Sequence, residues 1–151
     1  MSKKPHIPAD WWTAPATSDD GRTVMVTGRR DSLHLAALGV YNYRVEVTWV
    51  YDPTPAGAMP SDDDARLMEQ VTEALDTEFM RDPVAVLTGI YTGAGERNWV
   101  FYTRSLHIFQ RKFNELLAPL PAMPLTFHAE DDPEWEEYRE MSQAEIMPDD
   151  D

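Results

Sequence analysis

The sequence contains no cysteine, which excludes disulfides, thiolate metal sites and a cysteine nucleophile together. It has no apolar run near the ~18 residues that cross a bilayer. The basic opening Met1–Pro8 is followed by no apolar stretch, so neither a membrane span nor a secretory leader is expected. Bases are scarce: 13 Lys and Arg stand against 27 Asp and Glu, for a net charge of −14. A field of that sign repels nucleic-acid phosphates and anionic membrane surfaces, so neither is an expected partner. These exclusions leave an acidic, cytoplasmic globular protein of 151 residues. A chain of that length buries about two-thirds of its unfolded surface and forms one domain without staples.

The charge is unevenly placed. From Glu130 to Asp151 there are eleven acids and one base, Arg139, so this stretch carries −10 of the −14. It either attracts a basic protein surface, within a screening length of ~8 Å at physiological salt, or serves as a solvated tail.

Pro5, Pro8, Pro15 and the Ser18–Gly21 turn signal predict an irregular arm over residues 1–21. At least one indole of Trp11 and Trp12 is expected to pack back onto the domain. The domain itself is assigned to residues 22–141 and an acidic flexible tail to 142–151. Thr and Val predict a strand over Arg22–Gly28, and Arg29-Arg30-Asp31 opens a connection that ends at Gly39. Tyr43–Tyr51 alternates with period two, Tyr43, Val45, Val47, Trp49 and Tyr51 on one face, which predicts a sheet covered mainly on one side. Asp52–Gly57 breaks it with prolines. Ser61 caps a helix whose Leu67, Val71, Leu75 and Phe79 form one stripe. Strands Val84–Tyr91 and Asn98–Thr103 flank the Thr92–Glu96 turn. Ser105 caps a second helix bearing Leu106, Phe109, Phe113, Leu116 and Leu117, and Leu125–Phe127 is a short last strand. Asp132-Pro133 then opens a short helix with Trp135, Tyr138 and Met141 on one face. The order from Tyr43 onward is strand, helix, strand, strand, helix, strand. This predicts an α+β ferredoxin-like split βαβ sandwich, with an antiparallel sheet and two helices on one face. An extra N-terminal strand joins an unspecified sheet edge, and a short helix follows the last strand.

Chemical motifs are few. His6, His34, His107 and His128 show no i, i+4 pairing, so no zinc signature is present. The acidic triplet Asp62–Asp64 is explained by the positive end of a helix dipole. Gly93 and Gly95 join two strands, whereas a dinucleotide fingerprint joins a strand to a helix. No metal or cofactor is therefore expected. The remaining constellation is Arg97, Trp99, Tyr102 and Arg104 on one strand, facing Tyr43, Trp49 or Tyr51. It reads as cross-strand packing or as an aromatic and basic sheet surface.

Several of these features together resemble a known family. They are Trp11-Trp12, the alternating Val45–Tyr51 strand, the helix from Ser61, the Thr92-Gly93-Ala94-Gly95-Glu96-Arg97 turn with Trp99-Val100-Phe101-Tyr102, and the closing Asp132-Pro133-Glu134-Trp135 with Tyr138. Over roughly residues 11–141 they resemble the bacterial domain of unknown function 695. That resemblance implies no established activity and transfers no catalytic residue. More distantly, the chain is similar in fold and acidic style to the regulator of ribonuclease E activity B, small acidic proteins that bind and inhibit the enzyme. The similarity implies an inhibitor that binds a basic protein surface.

The expectation is a non-enzymatic interaction or regulatory module. Its acidic C-terminal segment would steer a basic protein surface, and exposed aromatics, Trp135 and Tyr138 or those of the sheet face, would supply desolvated anchors. Open sheet edges would also permit a homodimer. The competing expectation is a ligand-binding domain or enzyme with a pocket at Arg97 and Tyr102.

Overall fold

The computed structural model describes residues 5–18, 21–52 and 59–146. Six strands form one sheet: β1 (Trp11–Thr17), β2 (Thr23–Arg29), β3 (Tyr43–Val50), β4 (Ala85–Gly93), β5 (Glu96–Thr103) and β6 (Leu125–Asp131). The helices are α1 (Asp62–Arg81), α2 (Leu106–Leu117), α3 (Glu136–Ile146) and a 3₁₀ helix at Leu33–Leu38. The sheet order is β1-β2-β4-β5-β3-β6, and every neighbouring pair is antiparallel. None of the described helices is long and apolar enough to cross a membrane.

Both strong helices begin as their sequences dictate. The Ser61 hydroxyl accepts the Asp64 N–H at 3.2 Å and the Ser105 hydroxyl accepts the Ile108 N–H at 3.2 Å, each satisfying a donor that the first turn leaves free. Asp62, Asp63 and Asp64 occupy the first turn of α1, the helix-terminus role expected for them. Met68, Val71, Leu75 and Phe79 of α1 pack with Phe109, Phe113 and Leu117 of α2 over Val45, Val47, Trp49, Leu87, Trp99 and Phe101. Met68 is fully buried, whereas Leu67 is only half-buried at the edge of the stripe.

The opposite face is not left open along its whole length, contrary to the one-sided sheet expected. α3, the 3₁₀ helix and the N-terminal arm bury Trp12, Leu35, Tyr41, Trp135, Tyr138 and Met141 against Val26, Val86, Val100 and Tyr102. Gly28 and Gly89 stand opposite each other on β2 and β4. A Cβ at Gly28 would lie 2.4 Å from the Trp12 ring, and one at Gly89 would lie 2.6 Å from the Met141 sulfur. The missing side chains therefore form the trough in which the indole and the α3 methionine lie.

Several boundaries differ from expectation for physical reasons. The arm expected over residues 1–21 contains β1, despite Pro15. Asp10 O accepts the Arg30 N–H at 2.8 Å, and the register pairs Trp11 with Arg29. Even-numbered residues of β1 thus bond to β2 while Pro15 faces outward, where no ladder needs its missing N–H. The extra strand β2 joins β4, with β1 outside it, and Arg29 belongs to β2 instead of the following connection. β6 runs on to Asp131 because β3 supplies a partner at every step from Tyr43 to Trp49. α3 begins at Glu136, later than Asp132-Pro133, and continues to Ile146, inside the segment expected as tail. The rest of the proline-rich break, from residue 53, and Asp149–Asp151 lie outside the described residues.

Candidate functional site

The closing motif is built around Asp132. Its Oδ1 accepts the Glu136 N–H at 2.9 Å and its Oδ2 accepts the Glu137 N–H at 3.1 Å, so it caps α3 from outside the helix. The same Oδ2 accepts the Tyr102 hydroxyl at 2.7 Å. Burial, together with this bond to a carboxylate, pushes the Tyr102 phenol far above its ordinary value, so it stays a donor. Trp135 sits at φ +57°, an unfavourable conformation for a large side chain. It is held there by stacking on Tyr102 at 4.2 Å and by donating its indole N–H to Tyr41 O at 2.9 Å. Tyr138 donates its hydroxyl to Arg29 O at 2.6 Å and accepts the Ser32 N–H at 3.2 Å.

Trp135 is 0% exposed and Tyr138 5%. They are interior anchors of α3, and the exposed-anchor role expected of them is corrected accordingly. What the anchors do is fix the residues between them. Glu134, Glu136, Glu137, Arg139 and Glu140 all face solvent, as do Glu130 and Asp131 at the end of β6. Arg139 is turned back to donate to Glu134 O at 2.9 Å. The result is an acidic surface running from β6 onto α3, attached to the sheet by buried aromatics.

The pocket expected at Arg97 and Tyr102 does not form, because the two residues lie on opposite faces of β5. Tyr102 packs under α3, while Trp99 and Phe101 pack under α1 and α2 on the face that Arg97 shares. Trp99 is fully buried and donates its indole N–H to the Thr72 hydroxyl at 2.8 Å, so it is core. The Arg97 guanidinium stands 5.6 Å from the Trp99 ring centre, with its Nε buried and lacking a hydrogen-bond partner. Burial lowers its pKa. It lines a cleft of about 420 Å³ with Glu69, Thr72, Glu73 and Asp76 of α1.

Sequence reasoning missed two buried arginines. Arg29 is 0% exposed, pairs with Asp76 at 2.6 Å and donates to Leu87 O at 2.8 Å, tying β2 to α1 and β4. Desolvation lowers its pKa, and Asp76 opposes that shift. Arg44, 9% exposed, pairs with Glu130 at 3.7 Å and has a buried Nε without a hydrogen-bond partner. It lines an open concavity of about 540 Å³ with Arg22, Glu46, Tyr91, Glu96, Asn98 and Glu137. Burial pushes the Tyr91 phenol up to about 12, against the pull of Arg44. The signal for Arg44 was its place on the polar face of an alternating strand whose other face is core. Carboxylates outnumber guanidiniums in this concavity, which suits it poorly to an anion. Among the described residues no three His, Asp or Glu side chains gather to hold a metal ion.

Residues 9–141 match the family of unknown function DUF695. No curated protein matches the chain, so the more distant likeness to the ribonuclease regulator finds no support there.

Proposed function

Because the chain belongs to DUF695, a family of unknown function, its role must be sought on its own surface, and we propose that it is a non-enzymatic protein-interaction module that binds a basic protein surface. The observation that carries this reading is the exposed acidic surface from Glu130 to Glu140, held in place by the buried Asp132, Trp135 and Tyr138. A surface already fixed by packing loses little freedom when a partner docks. Its charge steers an oppositely charged partner and raises the association rate at low salt. We also read β3-α1-β4-β5-α2-β6 as a ferredoxin-like split βαβ unit, to which β1 and β2 are added beyond β4. The two helical crossovers support this, since β5 lies between β3 and β4, and β3 lies between β5 and β6.

The test compares proteins captured from a lysate by the wild type and by a variant with Glu134, Glu136, Glu137 and Glu140 changed to glutamine. The expected result is a set of basic proteins held at low salt, released at high salt and lost from the variant. Partners that survive both changes would contradict the proposal.

A further inference from the structure

The sheet has two edges, and they are chemically unlike. On β1, Pro15 faces outward and interrupts the edge. On β6 nothing interrupts it. The Asp132 N–H donates to Asn42 O at 2.8 Å, and the register pairs Asp131 with Tyr43. That parity directs the backbone groups of Thr126, His128 and Glu130 toward β3, and those of Phe127, Ala129 and Asp131 outward. Among the described residues β6 pairs with β3 alone.

The two faces beside this edge differ as well. On the α2 side, Phe127 is 44% exposed and meets Phe113 edge-on at 4.8 Å. An apolar groove of about 450 Å³ lies there, between α2 and β6, lined by Phe113, Leu117, Met123, Leu125 and Phe127. On the other side the edge presents Thr126, His128 and Glu130, and the acidic surface begins. A strand added to this edge would therefore place alternate side chains along an apolar groove and beside Glu130.

We infer that the β6 edge accepts an extended segment of a partner protein as a seventh, antiparallel strand, with apolar side chains toward α2 alternating with Lys or Arg toward Glu130. This rests on the reading of the acidic surface as a protein-binding surface and names the form its partner takes. Charge complementarity favours a basic segment over a second copy, since two copies would bring together chains of −14 each.

The test uses the full chain and synthetic peptides of one composition, measured by fluorescence anisotropy. One peptide alternates valine and lysine, and an isomer groups its lysines in a block. Two further forms of the alternating peptide carry N-methyl groups, on the valines or on the lysines. In an antiparallel addition the valines lie opposite Phe127, Ala129 and Asp131, so their N–H groups bond to β6 while those of the lysines face away. The alternating peptide should bind about tenfold or more tightly than the block isomer, and valine methylation should erase that advantage. Lysine methylation should leave it. Phe127→Thr, a change at an exposed position, should weaken the alternating peptide alone. Equal, salt-sensitive binding of all four peptides would overturn strand addition while leaving the acidic-surface reading intact. Failure of every peptide to bind at low salt would overturn both. A dimer on sizing of the free protein that the peptide does not dissociate would assign the edge to a second copy and overturn the inference.

Discussion

Asp132 joins three elements through one carboxylate: it caps α3 with two backbone bonds and accepts the Tyr102 hydroxyl of β5. Asp132→Ala removes the cap and strands a buried phenol, a combined cost of about 2–4 kcal/mol. Urea denaturation reads this as a lower midpoint with an unchanged slope, and a loss below about 0.5 kcal/mol would contradict the anchoring role, being no larger than an ordinary surface substitution. Asp76→Ala is expected to cost more, about 3–5 kcal/mol, because it leaves the buried Arg29 charge without its carboxylate. A stability close to wild type in the same measurement would mean that the guanidinium finds compensation elsewhere. Gly28→Ala must displace the Trp12 indole and is expected to cost about 1–3 kcal/mol in a scan at neutral pH.

At the scale of elements, α1 and α2 are joined at one end by charge as well as by apolar packing. Glu78 accepts from Arg81 at 2.6 Å and from Lys112 at 2.5 Å, and Lys112 also pairs with Asp82 at 2.8 Å. The bonds to Arg81 and Lys112 hold the Glu78 carboxyl down to about 2, against an ordinary 4.5. A depressed carboxyl pKa means that the stabilisation is complete above pH 4.5 and is lost as pH falls toward 2. Glu78→Gln should flatten the stability profile across that interval. An unchanged acid limb in thermal denaturation between pH 5 and pH 2 would show that the bridge contributes nothing. The same scale shows what the sequence made legible. Ser61, Ser105 and the four-residue stripe of α1 announce their helices because caps and period are local properties. β1 was hidden because Pro15 reads as a breaker until its outward register on an edge is known. The far half of β6 was hidden because its polar residues form a strand only when β3 lies beside them. Arg97 and Tyr102 are near in sequence, yet positions five apart on a strand point to opposite faces. The polar face of β3 carried a local signal for Arg44, whereas the burial of Arg29 depends on α1, β4 and the arm meeting around it.

For the whole molecule, buried Trp135 just before α3 and Tyr138 within it support an exposed acidic surface that begins at the end of β6, beside an open strand edge with an apolar groove. The proposed binding through it is expected to weaken with salt, because its charges are exposed and screened over roughly 8 Å at physiological strength. The concavity at Arg44 and the cleft at Arg97 are separate places, so a map of where a ligand lands separates the readings. The most direct measurement is the change in backbone amide resonances of isotopically labelled protein on addition of the alternating valine–lysine peptide at low salt. The account predicts that the largest shifts fall on Phe127, Ala129 and Asp131 of the β6 edge, and that they fade as salt is raised. Shifts centred instead on Arg97 with Glu69 and Glu73, or on Arg22 and Tyr91, would contradict it.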